Sequence, residues 1–224
     1  MARNDKTTTM LTKHLNIPAP GVREIAHEMA LKLARQRLAA ITDIEQQCHN
    51  AGARYLAGKK TVVLEYLNHT YHISIPAGEV APAEGNEPVA IKDKILILDY
   101  FTRAKGTPPS GRSITYKELH DGLNYYPTFA KRAIQPLVTN FGEDPARLVK
   151  AAAAGGGRQA DLGDAAVAFD AFPKVTLTFV LWRGDAEFPP EGSILFDGNI
   201  SDYLSNDDIH ALCEGIAWKL VRLA

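Results

Sequence analysis

The sequence predicts an α+β fold: a single domain in which a small antiparallel sheet is covered by helices. Three observations carry this. The helical and strand-like patterns come in separate runs (helices, a hairpin, helices, strands, a final helix) rather than in strict alternation, which argues against a parallel α/β sheet. The 224 residues are 46% hydrophobic and 23% charged, an ordinary globular balance in a chain long enough to bury a core without staples. No internal repeat divides the chain.

Residues 1–16 are polar and expected to be frayed, with one α+β domain over 17–224 and a helical N-terminal part at 17–58. Pro18 and Pro20 introduce the first helix, where Val22, Ile25, Ala26, Met29 and Leu33 recur at helical spacing and are expected to face the core. Thr42 to Glu45 has the form of a capping box, so a second helix restarts there, burying Ile44, Cys48, Ala51 and Tyr55 and stopping at Gly58. Residues 61–76 alternate as a hairpin turning at Asn68-His69, and 76–88 reads as a loop.

The run IKDKILILDYFTRAKG at 91–106 fits a buried strand or helix. Its length, basic last turn and closing Gly106 favour the helix. Short helices are expected near Tyr116 to His120 and from Pro127 to Phe141, and a helix end running into a flexible loop at 151–164. Ala165 to Phe172, Val175 to Trp182 and Ser193 to Phe196 read as strands. Asp207-Asp208 opens the last helix, whose apolar face is Ile209, Leu212, Cys213, Ile216 and Leu220.

Composition excludes several function classes. A net charge of -1 supplies no global field for nucleic acid. Cys48 and Cys213 form no CxxC pair, so they are expected to pack as small hydrophobes rather than hold zinc or an iron–sulfur cluster. The N-terminus lacks the apolar core of a secretory signal and no apolar run approaches a bilayer span, so the expected location is cytoplasmic. Neither a GxSxG elbow nor an HExxH helix is present, and the glycines at 155–157 lack the GKS or GKT of a phosphate loop.

Two segments remain as candidate sites. In LWRGDAEFPPEGSILFD, 181–197, a strand end meets a proline-stiffened loop after Gly184, which permits a sharp turn. Asp185, Glu187 and Asp197 would converge on a hard cation such as magnesium or calcium or act as an acid–base pair, or else Asp185 and Asp197 are turn-makers that bond backbone amides. In the last case Trp182, Arg183 and Glu187 are the residues left to meet a ligand. In GRSITYKELHDGLNYYPTFAKR, 111–132, Arg112 and Arg132 are interleaved with Tyr125 and Tyr126, which suits a planar anionic ligand held by stacking and guanidinium pairing. The same aromatics would also suit a core. His120, of the seven histidines, is the candidate axial ligand to a metal or tetrapyrrole.

The stretch from LDYFTRAKGTPPSGRSITYKEL through FPKVTLTFVLWRGDAEFPPEGSILFDGNISDYL resembles a family of uncharacterised bacterial proteins known only as a domain of unknown function. The resemblance runs from about residue 91 to the C-terminus, so 91–224 is the family-like part, with a looser fit upstream. It implies an origin largely among strict anaerobes. Some relatives are fused to a cysteine-rich iron–sulfur module of the kind found beside corrinoid proteins, which implies work near redox or tetrapyrrole cofactors. This chain has only Cys48 among its N-terminal helices, so anything that module supplies would come from a partner. The expectation is a non-catalytic binding or accessory protein for a planar anionic cofactor, a corrinoid or haem, held between Tyr125/Tyr126 and the Trp182 loop. The alternatives are a divalent-metal enzyme using Asp185, Glu187 and Asp197, and a structural subunit of a redox complex.

Overall fold

The computed structural model describes residues 20–224; the expected fraying of 1–16 lies outside the described residues. The chain begins with helix α1 (Pro20–Ala39), then α2 (Ile44–Ala51). The side chain that caps α2 is Asp43, not Thr42, accepting from the Gln46 amide at 2.9 Å. The helix ends earlier than expected because Gly52 adopts a left-handed φ of 66°, letting its amide reach back to the carbonyls of Cys48 and His49. Residues past it, including Tyr55, form strand β1 (Arg54–Leu56).

Strands β2 (Thr61–Tyr66) and β3 (His69–Ser74) form the expected hairpin, but it turns at Leu67-Asn68, one residue earlier than expected. Both turn residues have positive φ, the geometry of a two-residue turn matched to strand twist. The loop expected at 76–88 contains a short edge strand, β4 (Val80–Pro82), and β1-β2-β3-β4 make one antiparallel sheet.

Helix α3 (Ile91–Arg103) settles the strand-or-helix ambiguity in favour of the helix. After β5 (Ser113–Thr115) comes α4 (Gly122–Phe129), five residues upstream of the expected start. A π turn at Ala130–Ile134 joins it to α5 (Gln135–Phe141). Then follow α6 (Pro145–Ala154) and β6 (Arg158–Ala160), a strand where a loop was expected. Strands β7 (Ala165–Phe172) and β8 (Val175–Trp182) have the expected bounds, followed by β9 (Glu191–Asp197) and α7 (Asn206–Arg222). The second sheet is antiparallel in the order β5-β9-β8-β7-β6, so the protein is α+β with two sheets rather than one.

One buried cluster serves both sheets. Val167, Phe169, Leu177, Phe179, Leu181, Ile194 and Phe196 alternate along one face of the five-stranded sheet and are buried, and α5 and α6 pack near it. The sheets meet through stacked rings. Phe172 lies between Tyr66, at 4.9 Å between centroids, and Tyr100 of α3, at 4.1 Å. The backbone joins them too, Leu67 N–H donating to the Ala171 carbonyl at 3.0 Å. Among the described residues, no helix is long and apolar enough to cross a membrane.

Helix α1 corrects the expected core face. Val22, Ile25, Met29 and Leu33 are 48–63% exposed, and Ala26 is exposed too. Ala34 and Leu38 are the buried residues. Apolar residues lie on more than one side of this helix, and α3 covers the side carrying the smaller set.

Candidate functional site

The 181–197 segment is built as a brace. Asp185 accepts from the amides of Glu187 and Phe188, both at 2.8 Å, and these bonds hold its carboxyl below the usual range. Gly184 is required for space, since a Cβ there would stand 2.6 Å from Pro190 Cδ. Asp197 closes a different loop. It accepts from the Ser110 amide and hydroxyl at 2.9 Å, from Gly111 N–H at 2.9 Å and from Asn199 N–H at 3.0 Å. Partial burial works against its ionisation, but those bonds outweigh it and hold the carboxyl low.

The three carboxylates do not converge. Asp185 and Glu187 precede β9 and Asp197 ends it, and six strand steps separate those ends by about 20 Å. Among the described residues no group of three His, Cys, Asp or Glu is placed to hold an ion.

The second wall is also elsewhere. Tyr126 lies beside Phe129 and under the Lys117 ammonium, 4.3 Å from its ring centre, while Tyr125 is exposed. The 183–190 loop instead packs its Pro190 against Gly142, which follows α5. Fifteen helical residues lie between Tyr126 and Gly142, and the sixteen steps rise by about 24 Å. Trp182 and Tyr125/Tyr126 therefore do not face each other across one pocket. Arg112 is exposed, and its carbonyl accepts from Gly198 N–H at 2.8 Å. His120 is exposed with Nδ1 3.0 Å from Asp121. Arg183 is exposed, its amide held by Asp164 at 2.7 Å.

What the fold does assemble is a groove of about 660 Å³ between α1, α3 and α7. Of the candidate site residues read from the sequence, only Arg132, on the π turn, lines it. At its base two carboxylates are buried, Asp99 of α3 and Asp208 of α7, each 7% exposed. Asp99 is carried there by its neighbours: Leu96, Ile97, Leu98, Tyr100 and Phe101 are all buried, so the acid must be buried and paired. Arg37 of α1 bonds it directly. Burial, with the charge of Asp208, pushes the Asp99 carboxyl above its ordinary range, against the pull of Arg37 and Arg103. Asp208 accepts from the Ser205 amide at 3.0 Å and from its hydroxyl, and lies 3.8 Å from Arg103 Nε.

The rim is mixed. Tyr66 donates to Asp93 at 3.0 Å, and Arg132 stands 3.8 Å from Glu214. Lys92 and Arg222 line the groove without an ion-pair partner among the described residues. Trp218, 44% exposed, and Leu33 supply apolar wall. Arg37 Nε and His210 Nε2 are buried with no hydrogen-bond partner among the described residues. No thiol contributes: Cys48 and Cys213 are free and buried, and burial pushes Cys48, helped by Glu45, up to about 11. The one sequence signal for this groove was an acid inside the apolar run ILILDYF.

Fold and groove together define an α+β protein with a charged groove walled by three helices. The chain belongs to the DUF3786 family, a domain of unknown function, whose model matches residues 43–218. The α1 wall, with Arg37, precedes that match. No match was found among curated proteins or among solved structures.

Proposed function

We propose that the chain is a non-catalytic binding or accessory protein and that its ligand lies in the groove between α1, α3 and α7. The observation that carries this reading is the groove itself. Its volume of about 660 Å³ falls in the range of sites for cofactor-sized molecules, and it combines an exposed indole with convergent charged groups over a buried carboxylate pair. Such a perturbed carboxyl in a cleft marks functional sites more often than a plain surface does.

The ligand class is a planar body bearing carboxylates. Trp218 offers a face for stacking, and Lys92, Arg132 and Arg222 offer cations for the carboxylates. Among tetrapyrroles haem, with its two propionates, fits that description, while a corrinoid shares the macrocycle but carries amides in place of the carboxylates and offers a phosphate to the same cations. The resemblance to proteins of bacterial anaerobes, some fused to an iron–sulfur module, is the reason to test tetrapyrroles first. The ligand position differs from the Tyr125/Tyr126 and Trp182 site expected from sequence, because those walls lie apart.

Titration calorimetry with haem and with cobalamin tests the ligand class. The expected result is saturable binding of one of them, weakened by Arg132→Glu. Absence of heat with both sinks the tetrapyrrole reading. Native mass spectrometry of the purified protein then reads whatever else occupies the groove.

A second reading rests on Asp99, a buried carboxyl that lines the groove and is pushed above its ordinary range by burial: such a group can exchange a proton with a bound molecule. Turnover of any bound ligand that is lost in Asp99→Asn while binding persists would favour it.

A further inference from the structure

The end of the five-stranded sheet where β8 passes into the 183–190 loop carries three large exposed apolar side chains. Leu162 is 47% exposed, Trp182 43% and Phe188 67%. The backbone gathers the turns that bear them. Asp164 N–H donates to the Leu181 carbonyl at 2.9 Å, and Arg183 N–H to the Asp164 carboxylate at 2.7 Å. Asp185 N–H donates to the Phe188 carbonyl at 2.8 Å, and Trp182 pairs with Glu191 across the strands.

The surround is acidic. Asp161, Asp164, Asp185, Glu187 and Glu191 are all exposed on or beside the two loops, which carry one base, Arg183. An apolar centre inside a charged rim is the anatomy of a protein interface, and tryptophan is over-represented among residues that dominate binding energy. The patch is also ordered in advance. Asp185 closes its own turn, and Pro190 is seated on Gly142, so little freedom is lost when a partner arrives. The charge selects the partner: an acidic rim repels nucleic acid and acidic surfaces, and draws in basic ones.

We infer that this end of the sheet is a docking surface for a basic protein segment, rich in lysine or arginine and carrying an aliphatic or aromatic anchor that seats on Trp182 and Phe188. The inference is independent of the groove, which lies among α1, α3 and α7.

The test uses the whole chain and two short peptides, one alternating lysine with leucine and one alternating glutamate with leucine. Calorimetry should show saturable binding of the lysine peptide that weakens with salt. Trp182→Ala should reduce its affinity about tenfold or more. Phe188→Ala, and the pair Glu187→Gln with Glu191→Gln, should each weaken it, with melting temperatures unchanged. No binding, equal binding of the glutamate peptide, or binding indifferent to Trp182→Ala and Phe188→Ala would overturn the inference. So would a concentration-dependent dimer in light scattering that Trp182→Ala dissolves, which would assign the patch to a second copy of the chain.

Discussion

The 181–197 segment and the α1–α3–α7 groove both concentrate carboxylates, but they use them in opposite ways. In the segment, Asp185 and Asp197 take their hydrogen bonds mainly from backbone amides and remain near solvent, and both are held below the ordinary carboxylate range. In the groove, Asp99 and Asp208 are buried: Asp99 is bonded by Arg37 from another helix and burial pushes it upward, while Asp208 takes its hydrogen bonds from Ser205 at the start of α7 and lies 3.8 Å from Arg103. The first arrangement shapes loops. The second holds charge away from water at the base of a cleft. What separates turn-maker from groove acid is therefore how deeply the carboxylate is buried, and sequence spacing does not show that.

The largest expected effect comes from breaking the groove pair. Arg37→Ala leaves the Asp99 carboxylate buried without its direct partner, and should cost about 3 kcal/mol in chemical denaturation. That is the low end for buried pairs because the Arg37 side chain is itself 40% exposed. A loss below about 1 kcal/mol would place the pair with ordinary surface bridges and erase the contrast.

Asp197→Ala comes next. It strips the partner from three backbone amides and the Ser110 hydroxyl, and should cost about 2 kcal/mol without touching groove binding. The pH response sharpens the comparison because the signs are opposite. Asp197 has a depressed folded pKa, so its contribution is present above the ordinary carboxylate range and is lost as pH falls through the folded value. The deficit of Asp197→Ala should shrink in acid. Asp99 has a raised folded pKa, so the folded state holds the extra proton between the ordinary and the raised value, and stability falls as pH rises across that window. Asp99→Asn should flatten that slope. Thermal melts across the acid range read both, and parallel slopes in the two variants would contradict the assignment.

The smallest effect belongs to Glu187→Gln. Glu187 is exposed on the 183–190 loop, so the change should stay within about 0.5 kcal/mol in stability. A larger loss would mean that its carboxylate helps hold the loop.

Much of the fold was legible because its long elements are strongly patterned. Strands β7 and β8 have the bounds expected from alternation around Pro173, and α7 buries the expected Ile209, Leu212, Cys213, Ile216 and Leu220. The three-residue strands β1, β4, β5 and β6 were not legible, since three residues are too few to show a period and tertiary pairing decides them. The α1 face was misjudged because Val22, Ile25, Met29 and Leu33 form a stripe that α3 does not cover. The groove was the least legible part. Arg37, Asp99 and Asp208 lie on three helices far apart in the chain, and only the acid within ILILDYF hinted at a buried charge. The 181–197 segment was located correctly as a turn-built feature, and Asp185 and Asp197 are the turn-makers that one of its readings expected.

Paired tryptophan variants distinguish a ligand held in the groove, as proposed, from one held at the Trp182 loop. Haem and cobalamin are titrated calorimetrically into Trp218→Ala and into Trp182→Ala. Whichever cofactor binds the native chain should lose affinity about tenfold in Trp218→Ala and keep it in Trp182→Ala. Loss in Trp182→Ala with Trp218→Ala unchanged would return the site to the loop and overturn the assignment to the groove.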